Sequence, residues 1–159
     1  MNRLPIVLAL AVTLPTPALA QERPVDPYTA TNANADAIPV ADPELLAAFH
    51  GKDGISRIID DMVDRAVADP KLEEIFHATD LVRLRRTLKE QVGYILGAGI
   101  DYTGRDMKAT HKDQGINTAE FNALVEILQA SMDKEGVPFR AQNRLLHKLA
   151  PMRRDVVTR

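Results

Sequence analysis

Cysteine and tryptophan are both absent from this sequence of 159 residues. The lack of cysteine excludes disulfides, thiolate zinc sites, iron–sulfur clusters and thiol catalysis. Aromatic side chains are scarce, at 4% of the chain, so a domain of this size has few large groups with which to fill a core. An excess of one charge is also lacking, because 20 basic and 22 acidic residues give a formal net charge of −2. This balance gives no electrostatic attraction for nucleic acids or anionic membranes.

The sequence has a long apolar run at the N-terminus. Residues 4–14 are predominantly apolar, Arg3 precedes them, and Ala18 and Ala20 follow in the small-x-small pattern that signal peptidases cleave. The run is shorter than the ~20 apolar residues that span a bilayer. We therefore expect residues 1–20 to be a signal peptide cleaved after Ala20, with an uncleaved anchor as the alternative. Export of this kind predicts a periplasmic or secreted protein.

The next segment, residues 21–43, is rich in proline, asparagine, aspartate and alanine and shows neither helical nor strand periodicity. Such a segment buries too little apolar surface to offset the conformational entropy lost on ordering it. We expect it to be a flexible linker. One folded domain would follow over residues 44–159, in keeping with the ~100–200 residues of a typical domain.

The folded domain is predicted to be all-α. Apolar residues recur at helical spacing from residue 44 onward, and no stretch alternates as a strand would. Asp69, Asp80 and the pair Asn117 and Glu120 are N-terminal capping signals, while Pro151 predicts a kink in the last helix. The predicted helices cover residues 44–49, 55–67, 71–76, 81–96, 107–111, 117–136 and 138–156.

Histidine is the main candidate for chemistry, since the sequence has neither a nucleophile elbow nor a glycine-rich phosphate loop. The four histidines are His50, His77, His111 and His147, and no two share the i, i+4 spacing of a zinc site. His111 differs because it ends a very short helix between two glycine-containing loops. A histidine at a helix end is more often a surface residue or a partner of the helix dipole than a ligand. This helix, however, has little apolar stripe and needs something besides protein side chains to pack on.

Six segments of the chain resemble the group I truncated haemoglobins, which are small proteins with a two-over-two helical sandwich around a haem. The most specific segment is YTG-x-x-M-x-x-x-H at residues 102–111. The others are FHGKDGI at 49–55, DRAVADPKLEEIF at 64–76, TDLVRLRR at 79–86, GI at 115–116 and NRLLHKLAPMRRDVV at 143–157. They occur in the family's order and at its spacings, and they cover nearly the whole folded domain.

The resemblance implies a haem site. His111 would be the proximal histidine, whose imidazole nitrogen takes the fifth coordination position of the haem iron. The resemblance also implies that a set of apolar residues contacts the haem: Phe76, Met107, Leu84, Leu88, Phe121 and Leu124. Without the family likeness, each of these apolar residues would be interpreted as ordinary core packing.

The gas-binding side departs from the pattern of many members of that family. Those members have a tyrosine where this chain has Val63 and a glutamine where it has Leu88, and the tyrosine hydroxyl donates a hydrogen bond to the gas. Leu84 is the residue expected nearest the gas. Gln91, one turn beyond Leu88, is the obvious polar substitute, and a marginal one. A pocket without donors predicts weak retention of oxygen and a relative preference for carbon monoxide or nitric oxide.

We expect a protein that reversibly binds a diatomic gas, with an electron-donor reductase as a further partner. Nucleic acid is not an expected partner, nor is a membrane after signal cleavage. The alternative is a haem enzyme for nitric oxide dioxygenation or weak peroxidase activity, against which the apolar Val63, Leu84 and Leu88 argue. A helical adaptor that has lost haem is the third hypothesis.

Two details of the site stay open at the level of sequence. His77 would add a sixth ligand to the iron if the turn next to Phe76 folded inward. The three basic residues Arg83, Arg85 and Arg86 would pair with haem propionates if they faced the site, and would otherwise form a solvated helix face.

Overall fold

The computed structural model describes residues 21–159, so the predicted signal peptide, residues 1–20, lies outside the described part. Within residues 21–159 all regular structure is helical, which confirms the predicted all-α class. The α-helices are α1 (Pro43–Ala48), α2 (Gly51–Ala68), α3 (Glu73–His77), α4 (Leu81–Ile95), α5 (Met107–His111), α6 (Thr118–Lys134), α7 (Phe139–Leu149) and α8 (Arg153–Val156). Two 3₁₀ helices are Asn32–Ala35 and Ala150–Met152. None of the helices in this part of the chain has both the length and the apolar character needed to cross a membrane.

Two helix starts follow the capping signals of the sequence. Asp80 accepts a hydrogen bond from the backbone N–H of Arg83 at the start of α4. Asn117 and Glu120 form a reciprocal capping box at the start of α6. Both predicted caps are confirmed, and each satisfies an N–H that the first helical turn would otherwise leave unpaired.

The ends of two other helices show how local chemistry shifts a boundary. α3 begins at Glu73, two residues later than predicted, because the Asp69 carboxylate accepts from the N–H of Lys71 at 2.8 Å and forms a turn rather than a helix cap. The kink predicted at Pro151 is confirmed, since α7 gives way to a 3₁₀ turn before α8 begins. Proline has no N–H for the α-helical hydrogen bond, so the chain tightens there.

Helix α2 lies at the centre of the fold. It packs against α4 and α6, while α7 contacts α6 and the short α5 contacts α8. The buried apolar residues of α2 are Ile55, Ile58, Ile59, Met62, Val63 and Ala66. Because they recur every three or four positions, they form one continuous face. This face carries the main core, and a smaller cluster of Ala66, Leu72 and Ala123 lies beside α3.

Residues 21–42, which we call the N-terminal strap, are packed on the helices rather than forming the flexible linker expected from composition. The N–H of Val40 donates to the carbonyl of Ile95 at 2.8 Å, and Ala35 is fully buried. Other strap residues bond to α4 and to the loop before α5. The expectation failed because hydrogen bonds hold the strap, and they leave no apolar periodicity in the sequence.

Candidate functional site

A cavity of about 240 Å³ lies among α2, α3, α4, α5 and α6. Its apolar lining consists of Met62, Val63, Ala66, Leu72, Ile75, Phe76, Leu84, Leu88, Ile116, Phe121, Leu124 and Val156. Its polar lining consists of Thr79, Asp80, Arg83, Thr87, Thr110, His111, Gln114 and Glu120. We define the α2–α4 wall as Met62, Val63, Leu84, Thr87 and Leu88, and the α5 wall as Thr110 and His111 of α5 with Gln114 of the loop that follows.

His111, at the C-terminal end of α5, is a half-buried lining residue of this cavity. Its Nδ1 lies 2.8 Å from the carbonyl oxygen of Met107, to which it donates when the proton is on Nδ1. That tautomer leaves Nε2 with the electron pair that binds a metal ion. Burial lowers the pKa of His111, although the hydrogen bond to Met107 opposes the shift. Burial therefore favours the neutral imidazole, the form that ligates metals.

Helix α5 has only five residues and depends on contacts from outside itself. Asp106 caps it by accepting from the N–H of Ala109 at 2.7 Å. Asp36 of the strap accepts from the N–H of Met107 at 2.8 Å. Helices this short are unstable alone because nucleation costs more than a single turn returns. These polar contacts, together with burial of Met107, therefore fix the segment that carries His111.

The α2–α4 wall has four apolar members and one hydroxyl, that of Thr87. The hydroxyl oxygen lies 3.0 Å from the carbonyl oxygen of Arg83 and 3.2 Å from that of Leu84, both in its own helix. A hydroxyl carries a single proton, so Thr87 uses its proton within α4. This wall consequently presents an apolar surface to the cavity, without a side-chain donor aimed at a ligand.

The structure brings most of the predicted site residues to this one cavity: His111, Phe76, Leu84, Leu88, Phe121, Leu124 and Val63. Met107 and Gln91 lie outside its lining. Met107 is packed in the main core. Gln91 is buried, and its Nε2 donates to the carbonyl of Ala35 at 3.2 Å. The prediction of Gln91 as a polar group near the gas is therefore corrected, because a strap carbonyl takes its amide.

The sequence did not reveal that twelve further residues line the cavity. These are Met62, Ala66, Leu72, Ile75, Thr79, Asp80, Thr87, Thr110, Gln114, Ile116, Glu120 and Val156. The apolar members of α2 belong to a visible helical stripe, but a stripe does not reveal which of its members border a cavity. Thr87 carried a usable signal, since it lies three residues after Leu84 and so shares its helix face.

Comparison with known proteins places this architecture in a family. Residues 45–158 match the family model described as bacterial-like globin. The chain belongs to the bacterial-like globin family. This globin is similar to a group 1 truncated haemoglobin of Mycolicibacterium paratuberculosis, at 27% identity over 108 residues that cover 68% of this chain and 79% of that protein. It is also similar to a group 1 truncated haemoglobin of Synechocystis, at 28% identity over 98 residues that cover 59% and 79% of the two chains.

Solved structures of truncated haemoglobins share the fold of this globin. The truncated haemoglobin of Tetrahymena pyriformis in its Fe(III) form aligns with a TM-score of 0.68 at 20% identity, covering 72% of this chain and 98% of that one. The 2/2 haemoglobin of Synechococcus, with covalently attached haem, aligns with a TM-score of 0.66 at 21% identity and the same coverage. The predicted truncated-globin fold and the resemblance to group I truncated haemoglobins are confirmed.

Haem is the cofactor of truncated haemoglobins, and the lining of this cavity fits it. A haem needs an iron ligand, apolar contacts for its faces and partners for its propionates. His111 and the apolar lining match the first two requirements. For the third, Nε of Arg83 is buried in the lining without a hydrogen-bond partner. The nearest Asp80 carboxylate oxygen is 3.7 Å away, an ion-pair distance that is too long for a hydrogen bond.

The structure also separates groups that the sequence left open. Arg85 pairs with carboxylates of α2, and Arg86 pairs with carboxylates of the strap and α4. Arg83 is the one of the three that lines the cavity, and its Nη2 also donates to the strap carbonyl of Arg23 and lies 3.6 Å from a carboxylate oxygen of Glu22. His77 is exposed at the end of α3 and lies outside the lining, which argues against it as a sixth iron ligand.

Proposed function

We propose that this globin binds haem through His111 and reversibly holds a diatomic gas in an apolar pocket. The observation that carries the proposal is the placement of His111. Its imidazole, tied at Nδ1 to the carbonyl of Met107, lines a cavity that is otherwise mostly apolar. Bound haem would supply an iron coordination position for oxygen, carbon monoxide or nitric oxide.

The residues of the cavity would divide the work of holding the haem. His111 would ligate the iron, while Phe76, Phe121 and Leu124 would pack against the macrocycle. The guanidinium of Arg83 would pair with a propionate, which would also give its buried Nε a partner. This assignment uses one arginine of the three and leaves Arg85 and Arg86 in ion pairs outside the cavity.

The α2–α4 wall sets the expected selectivity. Val63, Leu84 and Leu88 carry no donor, and the neighbouring hydroxyl of Thr87 is bonded within its helix. A net hydrogen bond is worth about 0.5–1.5 kcal/mol, so a gas that relies on one is released roughly two- to twelvefold faster without it. Oxygen would consequently be held weakly relative to carbon monoxide.

Haem titration followed by gas exchange tests this function. The protein with one equivalent of haem should give a strong Soret band, and carbon monoxide should shift the band of the reduced protein. Removal of the gas should reverse the shift. His77→Ala is the matched control, because that histidine is exposed outside the cavity and its loss should change neither result. Failure of the wild-type protein to retain haem after gel filtration would contradict the proposal.

A periplasmic or secreted location is supported by the apolar run and the Ala18-x-Ala20 pattern at the N-terminus. A gas-binding iron outside the cytoplasm would need an electron donor, for which a reductase is the expected partner. N-terminal sequencing of the protein from the periplasmic fraction should begin at Gln21. Recovery of the full-length chain from the cytoplasm alone would contradict export.

A further inference from the structure

A side chain of the N-terminal strap, that of Asp36, is hydrogen-bonded to the helix that carries His111. Its Oδ2 accepts the backbone N–H of Met107 at 2.8 Å. The carbonyl of that same Met107 accepts from Nδ1 of His111, also at 2.8 Å. The backbone of Met107 is therefore hydrogen-bonded to the strap through its N–H and to the His111 imidazole through its carbonyl oxygen.

The bond from Asp36 meets a need that α5 cannot meet itself. Met107 is the first residue of α5, and the N–H groups of a first helical turn have no partner inside the helix. The helix cap Asp106 satisfies the N–H of Ala109. The carboxylate of Asp36, from about 70 residues earlier in the chain, satisfies that of Met107.

Asp36 is itself held in place by the body of the globin. It follows the 3₁₀ helix Asn32–Ala35 in a left-handed backbone conformation with φ of 53°, and its N–H bonds to the carbonyl of Ala33. The neighbouring Ala35 is fully buried, and its carbonyl accepts from the amide of Gln91 in α4. The path from α4 to His111 thus runs through Gln91, Ala35, Asp36 and Met107.

We propose that Asp36 is a positioning residue for the His111 imidazole, acting through Met107. The inference rests on the proposed haem ligation by His111. The orientation and basicity of a metal-bound histidine depend on the group that accepts its second N–H. By fixing Met107 from outside α5, Asp36 fixes that acceptor. The strap is therefore part of the haem site although none of its residues lines the cavity.

The test compares three variants as haem-loaded ferrous proteins. Asp36→Gly removes the carboxylate but keeps the left-handed backbone accessible, since glycine adopts positive φ without strain. Asp36→Asn keeps an oxygen acceptor of nearly the same shape. Asp101→Ala is the matched control, because Asp101 bonds the strap through Asn32 at 2.9 Å without touching α5. The readouts are the iron–imidazole stretching band in resonance Raman spectra and the rate of haem loss to an acceptor apoprotein.

Asp36→Gly should shift or broaden the iron–imidazole band and speed haem loss by roughly two- to twelvefold, the effect of one net hydrogen bond. Asp36→Asn should restore the wild-type band, and Asp101→Ala should leave it in place. An unchanged band in Asp36→Gly, or an equal change in Asp101→Ala, would overturn the inference while the wild-type band still supports ligation by His111. If the wild-type protein shows no iron–imidazole band, the proposed function fails as well.

Discussion

The α2–α4 wall and the α5 wall border the same cavity but are stabilised in different ways. Helices α2 and α4 have 18 and 15 residues, and α2 packs its apolar face against α4 and α6, with ion pairs of Asp60, Asp61 and Asp64 at the edges of these contacts. Helix α5 has five residues and is held by hydrogen bonds from Asp106 and from the strap. One wall is an extension of the core, whereas the other is a short segment fixed by specific polar contacts.

This difference matches the proposed role of each wall, which is gas binding for one and iron ligation for the other. A gas pocket needs a dry surface of a given shape, which packed apolar side chains supply without exact orientation. A metal ligand needs one ring nitrogen aimed within narrow limits, and hydrogen bonds are directional enough to aim it. We therefore expect the apolar wall to tolerate substitution better than the contacts that hold Met107 and His111.

Haem is expected to bridge the two walls, so loading the protein should have the largest effect on stability. A ligand present at a thousandfold its Kd stabilises the folded state by about 4 kcal/mol. For a domain of this size that corresponds to a rise in melting temperature on the order of 10 °C. Calorimetry with and without haem measures it, and His111→Ala should show a smaller rise. Equal melting temperatures for the haem-free and haem-loaded wild-type protein would show that haem does not connect the two walls.

A hydrogen-bond donor added to the apolar wall should slow the release of oxygen. Val63→Tyr places a hydroxyl at a buried position that lines the cavity, and it should slow oxygen release by roughly two- to twelvefold. Val67→Tyr, on the same helix but 38% exposed, is the matched control and should leave the rate unchanged. Stopped-flow displacement of oxygen by carbon monoxide gives both rates. Equal effects from the two substitutions would show that position 63 does not face the gas.

Arg83, at the charged edge of the cavity, should contribute less to haem retention than the groups above, because its side chain is 21% exposed. Exposed ion pairs are worth about 0.2–1 kcal/mol, so Arg83→Gln should speed haem loss by no more than about fivefold. Arg85→Gln provides the control, since its ion partners lie on α2 away from the lining. Identical haem-loss rates for both variants would show that Arg83 does not help to hold the haem.

Asp61, which joins α2 to α6 behind the α2–α4 wall, should have the smallest effect, a contribution to stability that depends on pH. Burial raises its pKa, but hydrogen bonds from Lys134, Arg65 and Ser131 outweigh this and lower it to about 2. Because the folded-state pKa lies below the ordinary aspartate value of 3.8, the stabilisation is present above about pH 4 and is lost as pH falls towards 2.

Urea unfolding between pH 2.5 and 6 measures this contribution. Asp61→Asn should flatten the acid loss of unfolding free energy, whereas Asp64→Asn, with a side chain 71% exposed, should not. A wild-type slope in Asp61→Asn would contradict the role given to Asp61.

The contrast between the walls also explains which features the sequence could predict. The stripe of α2 and the caps at Asp80 and Asn117 arise from neighbours three or four positions apart, so periodicity locates them. The contact of Asp36 with Met107 joins residues about 70 positions apart and leaves no local signal. A flexible linker was expected for that reason.

The sequence could not predict which side chains of α4 border the cavity, because this depends on how the helix is rotated about its axis. Arg83 lines the cavity, although its Nη2 also donates to the strap carbonyl of Arg23, while Arg85 and Arg86, only two and three residues later, lie outside the lining. Successive residues turn by about 100°, so the facing side depends on packing rather than on composition. The same reasoning applies to Gln91, whose amide is bonded to the strap carbonyl of Ala35 instead of bordering the cavity.

Ligation of the haem iron by His111 can be tested by the absorption spectrum of the ferrous protein. The wild-type protein should show a five-coordinate high-spin spectrum without added ligand. His111→Ala should lose that spectrum or bind haem poorly, and added imidazole should restore it. A six-coordinate, low-spin spectrum in the wild type would show a second protein ligand on the iron, whereas a ferrous spectrum that is the same in His111→Ala as in the wild type would contradict ligation by His111.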